Sequence, residues 1–155
     1  MRVQKYRLEV VKEKGTSYEV ESKKITSPSV ASEILNKVFR LEVQPEEVFA
    51  ILCLNTKHET IGCFEVARGS LGMALVHPRE VFKRAIACNA ACVLIAHNHP
   101  SGYVVPSSED DNITKRLIEA GSLLGIEIVD HLVIGDDKFY SYKEQNASIF
   151  ESRKK

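Results

Sequence analysis

The segment His97-Asn98-His99-Pro100 has the residue types and the spacing best suited to chemistry in this chain of 155 residues. It follows the apolar run 90–96, which predicts a buried strand, so both histidines stand at a strand end. Side chains at positions i and i+2 of a strand point to the same face. Both imidazoles can therefore reach one point, and imidazole nitrogen is a good ligand for zinc.

A second polar segment, Ser107 to Asp110, returns after the loop 101–106. Asp110 could add a carboxylate oxygen to the two histidines. Three protein ligands leave a fourth position for water, which is the arrangement of catalytic rather than structural zinc sites. Alternatively, Ser107 and Asp110 form a capping box at a helix start. The spacing alone favours the cap, but the two interpretations are only partly exclusive, because Ser107 can cap while Asp110 turns to a metal.

A metal would lower the pKa of a bound water from ~16 to roughly 7 in favourable cases. A nearby carboxylate could then take the proton of that water and pass it to a leaving amine. Four glutamates are candidates for this general base: Glu47, Glu65, Glu80 and Glu109. Glu65 has the position of a strand-face charge, and Glu80 that of a charge at a helix start.

The remaining histidines are assigned structural roles. His77 stands beside Pro78 and is interpreted as part of a helix-start motif. His131 lies within an apolar strand pattern and is interpreted as a packed strand histidine outside the site. His58 falls in a polar turn and is expected to be exposed.

Alternating strands and helices must position these residues. The predicted strands are 6–11, 17–25, 48–54, 60–67, 90–96, 126–134 and 139–142, and the predicted helices are 27–41, one from His77, and 107–124. Lys14-Gly15 joins the first two strands as a hairpin. Because some strands join by helices and others by tight turns, we expect an α/β (α+β) fold with a mixed sheet flanked by helices.

Composition and charge exclude several classes of protein. Apolar residues make up 44% and charged residues 27%, which is typical of a globular domain. Basic and acidic residues number 21 each, so the net charge does not favour nucleic acid or an anionic membrane. No segment has the ~20 apolar residues of a membrane span, and none of the four cysteines forms a Cys-x-x-Cys pair. We expect a reduced, cytoplasmic protein.

The order His-Asn-His-Pro-Ser-Gly over 97–102, followed by Ser107-x-x-Asp110, resembles the signature of the JAB/MPN (JAMM) zinc metalloprotease superfamily. The segment 77–81 and the pair Asp130-His131 resemble its RadC branch. The likeness extends from about Ser27 to Glu144. It implies a JAMM fold, a curved mixed sheet with flanking helices and a layered architecture similar to that of cytidine deaminases.

The resemblance also implies one zinc ion and a role for each site residue. His97, His99 and Asp110 would be the protein ligands, so the likeness favours the ligand interpretation of Asp110. Ser107 would stabilise the oxyanion that forms when water attacks an amide carbonyl. Glu47, immediately before the buried apolar run, matches the position of the glutamate that contacts the zinc water.

These assignments predict three parts of the chain: an N-terminal β-hairpin extension packed on the domain (1–26), a RadC-like JAMM domain (27–146) and a flexible basic tail (147–155). The function predicted first is a zinc-dependent peptidase or isopeptidase-type hydrolase with a peptide or protein substrate. The alternative is a zinc-containing binding module without turnover, associated with DNA repair or mobile elements. We expect no counterpart here of the helix-hairpin-helix region common in RadC-type chains, and this expectation weakens a DNA role. A nucleobase deaminase is set aside because the His-x-Glu and Pro-Cys-x-x-Cys patterns are missing.

Overall fold

The computed structural model describes residues 1–69 and 76–151. The strands are β1 (Val48–Leu54), β2 (Thr60–Arg68), β3 (Cys92–Asn98), β4 (Glu127–Gly135) and β5 (Lys138–Ser141). The helices are α1 (Pro28–Phe39), α2 (Pro78–Ala87), α3 (Ser108–Leu124), α4 (Tyr142–Gln145) and α5 (Ser148–Glu151), with a short 3-10 helix at Leu41–Val43.

The five strands form one sheet in the order β2-β1-β3-β4-β5. Among the strands in the described residues, only the β3–β4 pair is parallel, and α3 makes the crossover that a parallel pair requires. The other pairs are antiparallel. β1 and β3 are buried along their whole length, as expected for central strands with near-continuous apolar sequences.

Helices cover both faces of the sheet, because the side chains of each strand alternate between two apolar cores. Phe49, Ile51 and Cys53 of β1 face one core, which also contains the apolar residues of α2 and α3. Val48, Ala50, Leu52 and Leu54 face the other core, which α1 closes. The predicted fold class, a mixed α/β sheet flanked by helices, is confirmed.

The two strands predicted for the N-terminal hairpin are wrong. Residues 1–23 contain no strand, and within the described part of the chain this region pairs only through a bridge between Lys24 and Glu59. The turn at Lys14-Gly15 is present, with Gly15 at φ 76°. Residues 1–19 are exposed, so no sheet edge or core supports their β-branched pattern, and an isolated two-stranded hairpin is marginal in water.

The predicted flexible tail begins instead with a helix. Ile149 of α5 is buried in the core that α2 and α3 share, so hydrophobic burial holds residues 148–151 against the domain. Residues 152–155, with the basic cluster from Arg153, lie outside the described residues. The domain boundaries stay predictions. In the described part of the chain, helices are too short or too polar to cross a membrane.

Candidate metal centre

The end of β3 brings two histidine side chains together. His97 is fully buried, and its Nε2 lies 3.1 Å from Nε2 of His99. His99 follows the last strand residue, and its backbone N–H still donates to the carbonyl of Ile134, which keeps the segment on the sheet. The prediction that both imidazoles reach one point is therefore met by the geometry.

A backbone carbonyl determines which nitrogen of His99 is free. Nδ1 of His99 lies 2.7 Å from the carbonyl oxygen of Tyr103. A carbonyl only accepts, so Nδ1 must carry the proton, and in the neutral ring Nε2 is then bare. A backbone partner of this kind is what orients histidine ligands in metal sites.

Asp110 forms the capping box that its spacing favours and also contacts both histidines. Its Oδ2 accepts from the backbone N–H of Ser107 at 2.7 Å and from the Ser107 hydroxyl at 2.8 Å, which completes a capping box on α3. Its Oδ1 lies 3.1 Å from Nε2 of His97, and its Oδ2 lies 3.4 Å from Nε2 of His99. The cap thus aims the carboxylate at the histidines.

The contacts within this cluster shift two pKa values in opposite directions. Burial alone would raise the pKa of Asp110, but its hydrogen bonds to His97 and His99 outweigh burial and hold that pKa well below its usual range. The hydrogen bond to Asp110 raises the pKa of His99, against the effect of its own burial. The cluster therefore has the charge pattern of a cation site, with an ionised carboxylate at its centre.

Glu47 is the fourth member of the cluster. It immediately precedes β1, its side chain is 22% exposed, and its Oε1 lies 3.9 Å from Nε2 of His97. Glu47, His97, His99 and Asp110 each offer one ligand atom, and these atoms all lie within 4.8 Å of one another. Two imidazoles and two carboxylates form a donor set that suits a divalent transition metal.

The other glutamates considered as general bases are engaged elsewhere. Glu65 pairs with Arg68, the Glu80 carboxylate pairs with Lys83 and Arg84, and Glu109 accepts from the hydroxyl of Ser108. Among the described residues, the cluster that could hold a metal includes none of these three. Geometry therefore singles out Glu47, although its chemical role stays a prediction.

Asn98, between the two histidines, has a structural role that the sequence did not suggest. It is 1% exposed, and its Oδ1 accepts from the backbone N–H of Val48 at 2.7 Å. Its amide nitrogen donates to the carbonyl of Glu46 at 3.0 Å. One side chain therefore holds the residues on either side of Glu47 against β3. Because Asn98 lies between the two histidines in the strand, its side chain must point to the opposite face of the sheet. This was the feature of the sequence from which a separate role could have been predicted.

The prediction that His131 lies outside the site is wrong. His131 is a packed strand histidine, as expected, but its Nε2 lies 2.8 Å from Nδ1 of His97. Its Nδ1 lies 2.6 Å from the hydroxyl of Thr114, which donates to the carbonyl of Asp110 at 2.6 Å. Burial lowers the pKa of His131 well below its ordinary value. A buried histidine inside an apolar strand needs a polar partner. This requirement was the feature of the sequence that could have placed His131 beside other polar side chains.

The other two histidines occupy the positions expected from sequence. The His77 side chain accepts from the backbone N–H of Arg79 at 3.1 Å and so caps α2. His58 is exposed, with φ 60°, in the turn between β1 and β2. Neither belongs to the cluster that could hold a metal.

Fold and site together define a mixed α/β domain with a candidate metal centre at the end of its central strands. The chain belongs to the family of the RadC-like JAB domain, whose sequence model matches residues 25–147. It is 45% identical over 137 residues to a UPF0758 protein of Alkaliphilus oremlandii, covering 88% of this chain and 58% of that protein.

Two further relatives extend the comparison. A UPF0758 protein of Clostridium beijerinckii is 48% identical over 123 residues, which is 79% of this chain and 52% of that protein. One of Clostridioides difficile is 54% identical over 99 residues, which is 64% of this chain and 42% of that protein. The chain thus spans about half the length of the relatives it matches.

Proposed function

We propose that this domain is a zinc-dependent hydrolase of the metallopeptidase or isopeptidase type, acting on an amide bond of a peptide or protein. The observation that carries the proposal is the convergence of ligand atoms from Glu47, His97, His99 and Asp110 within 4.8 Å. We assign His97, His99 and Asp110 as ligands. Zinc bound there would lower the pKa of a water molecule and polarise the substrate carbonyl.

Glu47 is the proposed general base. Its carboxylate reaches to 3.9 Å from Nε2 of His97 and is partly exposed, so it can contact both a water and an incoming substrate. It would accept the proton of the attacking water and donate it to the leaving amine. Asn98 maintains this position through its bonds to Val48 and Glu46.

Ser107 is the proposed donor to the oxyanion. Its hydroxyl has one proton, which it gives to Oδ2 of Asp110, while its oxygen accepts from the backbone N–H of Asp110. The hydroxyl would have to rotate from Asp110 toward the substrate to donate to a developing oxyanion. The capping bond that its oxygen accepts can persist during that rotation.

The second candidate is a metal-binding module without turnover. The present direction of the Ser107 hydroxyl favours it, because that donor is committed to Asp110. In this function the cluster would hold zinc and shape a surface for a partner. Retained zinc without cleavage by the wild type would support this candidate.

Cleavage of a peptide and isopeptide library by the zinc-loaded wild type tests the proposal. Glu47→Gln should retain zinc and lower the turnover number by about 10²–10⁴-fold, the usual contribution of a general base. Glu46→Gln is the matched control, since Glu46 is the exposed neighbour and Asn98 contacts only its backbone carbonyl. Cleavage that is equal in wild type and Glu47→Gln would refute the assignment of Glu47.

A further inference from the structure

His97 faces a different polar group with each ring nitrogen. Nε2 points to the cluster, 3.1 Å from Oδ1 of Asp110, whereas Nδ1 points to Nε2 of His131 at 2.8 Å. A metal bound in the cluster requires Nε2 of His97 without a proton, so a neutral ring must carry its proton on Nδ1. The contact with His131 permits either direction of donation, and a second contact must decide between them.

Thr114 supplies that second contact. Its hydroxyl lies 2.6 Å from the carbonyl oxygen of Asp110 and 2.6 Å from Nδ1 of His131. The carbonyl can only accept, so the hydroxyl gives its single proton there and must accept from His131. Neutral His131 then has its proton on Nδ1 and a bare Nε2, which accepts from Nδ1 of His97.

The surroundings hold His131 in the orientation that this chain of hydrogen bonds needs. Its ring stacks on the Tyr142 ring, with centroids 5.0 Å apart and planes at 10°. It also meets the Phe49 ring edge to face, with centroids 5.8 Å apart. The Tyr142 hydroxyl donates to Oδ1 of Asp111 at 2.8 Å, which ties the stacking ring to α3. Because His131 is fully buried, water cannot replace Thr114 as its partner.

We propose that Thr114 and His131 are positioning residues that fix the proton of His97 on Nδ1 and thereby make Nε2 its metal-binding nitrogen. This chain of hydrogen bonds, called the relay below, runs from the backbone carbonyl of Asp110 through Thr114 and His131 to His97. It therefore links two of the proposed ligands. His99 needs no relay, since a backbone carbonyl already accepts from its Nδ1. The inference rests on the proposed metal-dependent function. It concerns only the proton on Nδ1 of His97, which faces His131 whether or not Nε2 donates to Asp110 in the metal-free protein.

Removal of the Thr114 hydroxyl should reverse the direction of the hydrogen bond between His131 and His97. In Thr114→Val, Nδ1 of His131 loses its acceptor, and the tautomer with the proton on Nε2 becomes the favoured one. That proton then points at Nδ1 of His97, which must accept, and the proton of His97 moves to Nε2. Thr114→Ser keeps the hydroxyl and is the matched control. Loss of such an outer partner typically weakens metal affinity by about 10–100-fold.

Nitrogen-15 NMR of the metal-free full chain, with labelled histidine, reads these tautomers directly. Wild type and Thr114→Ser should show a protonated Nδ1 and a bare Nε2 in His131, and a protonated Nδ1 in His97. Thr114→Val should show the opposite tautomer of His131, while His99 stays unchanged as an internal reference. Wild-type His131 with its proton on Nε2 would overturn the proposal, and this holds even if Thr114→Val does not fold.

Zinc titration of the same proteins separates this inference from the proposed function. Affinity should fall by about 10–100-fold in Thr114→Val and remain near wild type in Thr114→Ser. Wild type that binds no zinc, yet shows the expected tautomers, would refute the function and leave the relay standing. Equal zinc affinity in wild type and Thr114→Val, with the His131 tautomer unchanged, would refute the relay alone.

Discussion

The side chain of Asn98 accepts a 2.7 Å hydrogen bond from the backbone N–H of Val48, 50 residues away in sequence. The same amide donates to the carbonyl of Glu46 at 3.0 Å, so it spans the position of Glu47. The strand that carries the histidines therefore also positions the carboxylate opposite them. This buried amide therefore ties the backbone on both sides of Glu47 to the strand that carries His97.

Asn98→Asp tests that dependence with almost no change in shape. The carboxylate can still accept from Val48, but it cannot donate to Glu46 and instead places negative charge against a carbonyl. We expect the free energy of unfolding to fall by about 3 kcal/mol, as for a buried polar group that loses its partner. Denaturant titration measures this. Asn112→Asp, an exposed position in α3, should change stability by less than ~0.5 kcal/mol, and equal losses in the two variants would contradict the account.

Gly135→Ala should weaken metal binding through the loop after β3. A Cβ at Gly135 would lie 2.3 Å from the carbonyl oxygen of Gly102, next to Tyr103, whose own carbonyl holds His99. The loop must move to relieve that overlap, so zinc affinity should fall by about 10–100-fold in a titration.

Gly125→Ala is the control for general destabilisation. Gly125 ends α3 at φ 69°, with no atom within 4 Å of an added Cβ, so the variant should lose about 1 kcal/mol of stability. Its zinc affinity should equal that of the wild type. If both glycine variants bind zinc as the wild type does, the loop does not position His99.

The metal-free protein should show a window of pH in which Asp110 and His99 stabilise each other. The pKa of Asp110 is lowered in the fold, so its contribution is present above its unfolded pKa of ~3.9 and is lost as the pH falls below it. The pKa of His99 is raised, so its contribution is full below ~6.5 and is lost as the pH rises through the folded pKa. The pair therefore stabilises the folded protein most between about pH 4 and 6.5.

Urea titrations of wild type and Asp110→Asn from about pH 3.5 to about pH 8 measure this window. The difference in unfolding free energy should be largest inside it and should decline at both ends. Measurements in the presence of a strong chelator keep the comparison free of metal. A difference that is flat with pH would mean that the two groups do not form a charged pair.

Ile149→Ala tests the correction to the predicted tail. Ile149 is 5% exposed in the core beside α3, so its truncation should cost about 2–4 kcal/mol of unfolding free energy. Ser148→Ala, at an exposed position of the same helix, is the control and should cost less than ~0.5 kcal/mol. A neutral Ile149→Ala would restore the interpretation of residues 148–151 as a free tail.

The fold was predictable wherever a local pattern coincided with burial. The apolar run 48–54 matches β1 residue for residue, and α3 begins beside the predicted cap at Ser107. The N-terminal hairpin failed because β propensity describes a fit to a half-buried surface, and residues 1–19 have no such surface. The missed helix α5 depends on burial of Ile149 in a core built by distant elements, which a four-residue segment cannot reveal.

Spacing alone made only the histidine pair of the site predictable. The separation of His97 and His99 by one residue predicted that they converge, whereas the family resemblance favoured Asp110 as a ligand and Glu47 as the base. Thr114 and His131 could not be assigned to it, because their contacts depend on the parallel pairing of β3 with β4 and on the crossover of α3. Pairing between strands is long-range information that no short motif contains.

Zinc content and affinity are the most direct test of the central claim, that these side chains form one metal centre. Purified wild type, after removal of metal and titration with zinc, should bind one equivalent. His99→Ala and Asp110→Asn should lose at least about 10–100-fold in affinity. Glu47→Gln should keep the metal, because we assign it as a base rather than a ligand. Equal zinc binding by wild type, His99→Ala and Asp110→Asn would show that the metal centre does not exist.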